Sequence, residues 1–235
     1  MSGDAEVAVW ITTGGVADAA HHRALLARLS EGERARLEAI AHDGRRTEFL
    51  VGRALLRTAL ATRAPIPPHA WPLRIDPRGR PEVIPGSGAP DLRFSLTHTD
   101  GLVACSVATG RAVGIDVERH RPLDAVVELA RRFLAPSEAD AIAGLPQERG
   151  GQRYVRHWTL REAFAKARGE GLTMPRDAVA FAFGDDGSIA AVAETATGRR
   201  WHCWQWDPTS EHTLAVCVDV GVDEAPSLRV EPVIL

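Results

Sequence analysis

Two short stretches carry side chains whose types and spacing suit phosphate and proton chemistry. The first, RAVGIDVER (Arg111 to Arg119), places Asp116 and Glu118 two residues apart. In a strand, alternation puts Val113, Ile115 and Val117 on one face and Gly114, Asp116 and Glu118 on the other. Two like charges then stand ~7 Å apart on one face, a repulsion that a divalent cation relieves. A bare Asp-x-Glu is most often a solvated face. Gly114 beside it argues for something approaching the backbone closely. The second stretch, HWTLREAFAKARGEGL (His157 to Leu172), has a helical pattern ended by Gly169 and Gly171. In it Trp158, Glu162 and Lys166 recur every four residues, which stacks them on one side of the helix with ~6 Å between neighbours.

Lys166 is the chain's only lysine; the other 27 of its 28 Lys and Arg residues are arginine. Glutamate four residues before lysine is the ordinary surface ion pair, but arginine would serve that role equally well. Lysine differs in delivering a compact ammonium to a single oxygen. A phosphate contact in a tight site therefore accounts for it better.

The elements that must position these groups are legible in outline. Ala5 to Thr12 reads as an opening strand. Ser30 and Glu33 form a capping box ahead of a helix over Arg34 to Ala41. Arg45 to Thr62, with Phe49, Leu50, Leu56 and Leu60 on one stripe, predicts a long buried helix. Pro65 to Pro90 reads mostly as loop, with turn chemistry at Asp76 to Val83. Strands are expected at Arg93 to Thr97 and Leu102 to Ala108, then a Thr109-Gly110 turn into Ala112 to Glu118. Helices follow at Val126 to Phe133, after Pro136-Ser137-Glu138 with Asp140 in a box-like position, and at Arg153 to Arg168. The last third reads as strands: Val179 to Phe183, Ser188 to Ala193, Arg200 to Trp206 and His212 to Val220, with a loose tail.

Length and composition set wider bounds. At 235 residues and 45% hydrophobic, the chain holds one large domain or two small ones. A net charge of −3 excludes a general polyanion-binding surface, so no nucleic-acid partner is expected and any basic site is local. No apolar run approaches the ~20 residues of a membrane span, and the start MSGDAEVAVWITTGG lacks a signal peptide's features. A soluble, cytoplasmic protein is expected. Three cysteines without a CxxC pair argue against a disulfide framework, and Cys105 and Cys217 read as small buried hydrophobes. The Trp201 to Trp206 run, with His202 and Cys203, reads as plain strand alternation. GxxxxGK[ST], GxSxG and a strand-borne GxGxxG are absent from the sequence.

VGIDVE (Val113 to Glu118) followed by WTLREAFAKARGEGL resembles the 4′-phosphopantetheinyl transferases, in their large, pseudo-dimeric, surfactin-synthetase-activating type. RGRP (Arg78 to Pro81), FSLTHTDGLV (Phe94 to Val103) and RRTEFLVGR (Arg45 to Arg53) match further family motifs in the same order. Arg161 stands where the family usually has lysine, and Thr97 where it usually has serine. Glu33 falls near a position that is often basic in relatives.

The resemblance implies an α+β fold of two similar halves, residues 1–112 and 113–235. Each would be a small antiparallel sheet packed with helices, related by a pseudo-twofold axis, with coenzyme A in the cleft between them. It implies a Mg2+ site, open to Mn2+, formed by Asp116, Glu118 and Glu162. Lys166 would hold a pyrophosphate oxygen, and Glu162 would be the general base. Coenzyme A would also meet Arg36, Arg53, Arg78, Gly79, Arg80, Pro81, Thr97, His98 and Trp158. The implied reaction moves the 4′-phosphopantetheine arm of coenzyme A to a serine of an apo acyl, peptidyl or aryl carrier protein. It releases adenosine 3′,5′-bisphosphate and serves fatty acid, polyketide or nonribosomal peptide synthesis. The expected enzyme is a monomer. The rival readings are a coenzyme A-binding module without transfer and a metal-dependent phosphodiesterase.

Overall fold

The computed structural model describes residues 6–77, 79–184, 188–190, 200–220 and 225–235. Arg78, Ala5, the turn at 185–187 and the expected strand end at 191–193 lie outside the described residues. The chain forms two compact units, one holding the residues up to Arg111 together with Ser227–Leu235, the other Ala112–Pro226. The architecture is α+β.

In the first unit, β1 (Glu6–Thr13) is buried along most of its length and occupies the interior of a four-stranded sheet. It pairs antiparallel with β5 (Leu102–Thr109), which in turn pairs with β4 (Leu92–Thr99) across the two-residue loop Asp100-Gly101. Gly101 has φ +83°, the left-handed backbone that such short hairpin loops require. The expected loose tail is instead β11 (Ser227–Pro232), parallel to β1. This sheet is therefore mixed, not antiparallel. A parallel partner needs no local turn signal, so nothing near the C-terminus announces it.

Among the described residues three α-helices belong to this unit. α1 (Ala19–Arg28), capped by Asp18, was not expected, because AAHHRALLAR buries only Leu25 and shows little periodicity. α2 (Glu31–Glu38) carries the Ser30/Glu33 capping box. α3 (Asp43–Ala61) presses Leu50, Leu55, Leu56 and Leu60 into a core shared with Trp10, Leu25, Leu29 and Cys105. A Cβ on Gly52 would stand 3.1 Å from Leu96 Cδ2, so α3 packs closely on β4 there. The stretch expected as loop contains a small hairpin, β2 (Leu73–Ile75) with β3 (Pro81–Val83).

In the second unit, β6 (Val113–Arg119) does not continue the β4–β5 hairpin through Thr109-Gly110, as the sequence suggested. It pairs with β10 (His212–Val220), whose other neighbour is β9 (Arg200–Thr209). β7 (Ala182–Phe183) and β8 (Ile189–Ala190) form a separate two-stranded pair. α4 (Val126–Phe133) and α5 (Pro136–Ala143) pack with Tyr154 around Val126, Ala130, Leu134 and Ile142. The acid that caps α5 is Glu138, whose Oε2 accepts from Ala135 N at 2.9 Å; Asp140 is exposed. Cys203 and Cys217 face each other across β9 and β10 and are joined as a disulfide, while Cys105 is free and buried. The sequence argument against a bridge fails because strand register, not spacing along the chain, sets which cysteines meet. Among the described residues no helix is long and apolar enough to cross a membrane.

α6 (Gln147–Arg168) begins earlier than its apolar pattern indicated and ends at Gly169, which takes the left-handed cap with φ 76°. It lies on the sheet face that bears Gly114 and Asp116. A Cβ on Gly114 would fall 2.0 Å from Ala163 O and 2.5 Å from Ala167 N, both backbone atoms. The close approach expected at Gly114 is thus made by the protein's own helix. Gly114→Ala must push α6 off β6. We expect it to cost about 3 kcal/mol or more in urea unfolding, with loss of the geometry described next.

Candidate functional site on β6 and α6

The β6–α6 contact brings the two chemistry-bearing stretches together within the second unit. Asp116 is 6% exposed and Glu118 only partly so, one strand pleat apart on the face toward α6. From α6, Trp158, Glu162 and Lys166 point to the same place. The Lys166 ammonium donates to Asp116 Oδ1 at 2.6 Å and to the carbonyl of Ile115 at 3.0 Å. It thus pairs with the strand carboxylate, which goes beyond an ordinary surface pair with Glu162 one turn earlier. Trp158 donates its indole N–H to Glu118 Oε1 at 3.0 Å, and its ring stacks on Tyr154 and meets Phe133 edge-on.

Electrostatics follow from this crowding. Burial, then the charge of Asp116, pushes Glu162 above the usual carboxylate range; Glu118 adds to the rise and Lys166 opposes it. Glu118 is raised by the same two causes, against the Trp158 hydrogen bond and the charges of Arg121 and Lys166. Three carboxylates that repel one another at close quarters, relieved by one ammonium, form a site that gains by taking up positive charge. Sequence reasoning missed Tyr154, the only tyrosine of the chain. Burial and the charges of Glu118 and Glu162 push it up to about 12. The signal was present, since Tyr154 precedes Trp158 by four residues and extends the same stripe.

Asp116, Glu118 and Glu162 offer only carboxylate oxygens, the donor set that suits a hard cation such as Mg2+. Among the described residues no group of three His, Cys, Asp or Glu stands close enough to hold a metal ion in the present side-chain positions. The Lys166 ammonium stands at Asp116 Oδ1. The donor types fit the ion, and closing a shell on it requires side-chain movement.

The remaining expected residues belong to the first unit. Gly52 of α3 packs on Leu96 of β4, which Thr97 and His98 follow in sequence, and Arg53 follows Gly52 on the helix. Arg53 is 8% exposed, and its Nη1 is buried without a hydrogen-bond partner. Arg36 and Arg53 both lie over the Phe49 ring, at 5.6 and 5.2 Å. Glu33 pairs with Arg57 at 2.5 Å and so leaves Arg36 and Arg53 as the excess charge. Burial lowers the Arg53 pKa, with Arg36 and Arg57 adding to that and Glu33 opposing it. His98 Nδ1 stands 3.8 Å from Glu48 Oε2, and Thr97 is buried. Gly79, with φ +83°, and Arg80, held by Asp76, turn the β2–β3 hairpin before Pro81.

The 4′-phosphopantetheinyl transferase superfamily profile matches residues 112–217, the stretch that contains the β6–α6 site. The 4′-phosphopantetheinyl transferase HetI of Nostoc sp. is 30% identical over 200 residues, covering 76% of this chain and 84% of HetI. A 4′-phosphopantetheinyl transferase of Bacillus subtilis is 27% identical over 195 residues, 82% of this chain and 83% of that protein. The transferase Sfp of Bacillus subtilis strain 168 is 26% identical over 148 residues, 63% of this chain and 62% of Sfp. Similarity across most of these relatives, together with the acids and lysine gathered on β6 and α6, shows that the chain belongs to the 4′-phosphopantetheinyl transferase superfamily, as an enzyme of the Sfp-like type.

Proposed function

We propose that this enzyme transfers the 4′-phosphopantetheine arm of coenzyme A to a serine hydroxyl of an apo acyl, peptidyl or aryl carrier protein, releasing adenosine 3′,5′-bisphosphate. The observation that carries this reading is the meeting of Asp116, Glu118, Glu162 and Lys166 across the β6–α6 contact. They are drawn from stretches about forty residues apart and gathered into one partly buried site.

The serine Oγ attacks the phosphorus that bears the pantetheine arm, and the bond from that phosphorus to the leaving bisphosphate oxygen breaks. Glu162, raised in basicity by burial and its acidic neighbours, accepts the serine proton directly or through a water. Lys166 reaches a pyrophosphate oxygen by turning its flexible stem away from Asp116, and so offsets charge on the leaving group. Asp116, Glu118 and Glu162 would hold Mg2+, which when bound supplies charge neutralisation for the diphosphate. Trp158 holds Glu118 in place through its indole N–H. In the first unit, the buried unpartnered Nη1 of Arg53, with Arg36 over the same ring, fits the 3′-phosphate of coenzyme A. Thr97, His98 and the Gly79–Pro81 turn are assigned to the same substrate. The kinship of the two units, each with one long helix packed on a sheet, belongs to this reading as well.

Incubation with coenzyme A, Mg2+ and a panel of apo carriers, read by intact mass spectrometry, tests the proposal. A gain of the phosphopantetheine mass is expected on at least one carrier, with Glu162→Gln reducing the rate at least ~100-fold. Free phosphopantetheine formed without carrier would favour a phosphodiesterase, and no modification of any carrier would favour a binding module. Lys166→Arg should keep the fold, by circular dichroism, yet lose turnover by about 10-fold or more, because a planar guanidinium does not deliver a compact point charge to a single oxygen as the ammonium does. Wild-type turnover in that variant would refute the role given to the lysine. Arg53→Gln should raise KM for coenzyme A by about 10-fold or more, with little change for dephospho-coenzyme A, which lacks the 3′-phosphate. Equal loss with both substrates would remove Arg53 from that phosphate.

A further inference from the structure

At ~100° per residue, α6 has three working faces spaced about one third of a turn apart. Leu160, Ala163 and Ala167 lie toward the sheet, through the contact at Gly114. Trp158, Glu162 and Lys166 carry the site. The third face, with His157, Arg161 and Phe164, meets the segment that returns along the helix after Gly171.

Two buried polar side chains, one turn apart on this third face, hold the backbone of that segment. Arg161, 5% exposed, donates Nη1 to the carbonyls of Arg176 at 2.8 Å and Val179 at 3.3 Å, and Nη2 to that of Pro175 at 2.5 Å. His157, equally buried, meets Glu138 Oε1 through Nδ1 at 3.1 Å; a carboxylate only accepts, so the ring nitrogen donates. The same Oε1 accepts the Phe181 N–H at 2.7 Å, while Oε2 caps α5 at Ala135. Four residues of one segment, Pro175, Arg176, Val179 and Phe181, are thereby fastened to α6, three directly and one through Glu138. Burial lowers the Arg161 pKa, and the acids Glu138, Glu162 and Asp177 counter it. Arg161, which stands where the resemblance leads one to expect lysine, keeps the positive charge, and in this fold its guanidinium faces backbone carbonyls.

Apolar contact with a sheet is non-directional and resists rolling of a helix weakly, whereas hydrogen bonds to fixed carbonyls are directional. A roll of ~10° carries a side-chain tip about 1 Å at the helix's ~5–6 Å outer radius. Misplacement of that size at a reacting group costs up to ~100-fold in rate. We propose that Arg161, with the His157–Glu138 pair as second anchor, is a positioning residue of the transfer. It clamps residues 175–181 to α6 and so sets the roll that aims Glu162 and Lys166 at Asp116. This rests on the transferase reading of the site.

The test compares wild type, Arg161→Ala, Arg161→Lys and Glu162→Gln for kcat and KM toward coenzyme A with an apo carrier and Mg2+. Thermal unfolding and amide hydrogen exchange are measured on the same samples. Arg161→Ala should lose kcat by about 10- to 100-fold with KM changed less than ~3-fold, and exchange in 175–181, including the Phe181 amide, should quicken. Arg161→Lys, which retains an ammonium within reach of the carbonyls, should recover most of the loss. Unchanged kcat with a lowered Tm would make Arg161 a stabilising residue only. A KM raised about 10-fold or more with unchanged exchange would make it a substrate contact. Either result overturns the proposal. Should Arg161→Ala fail to fold, His157→Ala carries the same readouts, with the same loss of kcat and quickened exchange expected. Wild-type turnover in Glu162→Gln refutes the underlying reading of the base, and the exchange data still decide whether the clamp exists.

Discussion

The backbone contact between β6 and α6 at Gly114 is the constraint on which the second unit depends. A strand and a helix ordinarily keep side chains between them; here the strand offers a hydrogen atom, and the Ala163 carbonyl occupies the space of a missing Cβ. At that separation Asp116 and Glu118, two and four residues along the strand, fall beneath the stripe of Trp158, Glu162 and Lys166. The fold presses three acids together and offsets part of the repulsion with one ammonium on Asp116 and one indole N–H on Glu118. Such a site is costly in isolation and is stabilised by charge from outside.

The first unit uses a related device. Gly52 lets α3 close on Leu96, and the next residue, Arg53, is buried with one guanidinium nitrogen unpartnered. Its neighbour Arg57 is as deeply buried, yet it is satisfied by Glu33 and by the carbonyls of Pro68 and Trp71. Arg57 thus ties α2 and the chain after α3 together, while a buried donor of Arg53 stays without a partner.

Much of the site was legible in the order of the amino acids. Period-two alternation placed Asp116 and Glu118 on one face, period-four spacing placed Trp158, Glu162 and Lys166 on one stripe, and the isolated lysine marked that stripe as unusual. Tyr154 was legible by the same spacing and was overlooked. Other features carried no local signal. The partner of β6 is β10, about a hundred residues away, so the apparent turn at Thr109-Gly110 misled. The Cys203–Cys217 bridge depends on the register of β9 against β10. The strand β11 finds its place only because β1 presents a free edge.

The sequence by itself determined which residues carry charge, where most of the longer helices and strands run, and which side of β6 and α6 the acids and the lysine occupy; it did not reveal α1, the β2–β3 hairpin or β11. These follow from local periodicity and backbone preference, which act over a few residues. Tertiary structure decided that the approach at Gly114 is made by α6 and that Lys166 stands on Asp116. It also decided that the Arg161 guanidinium grips the carbonyls of Pro175, Arg176 and Val179. Those outcomes depend on which distant surfaces bury each other best, a free energy spread over the whole unit and written in no single stretch of chain.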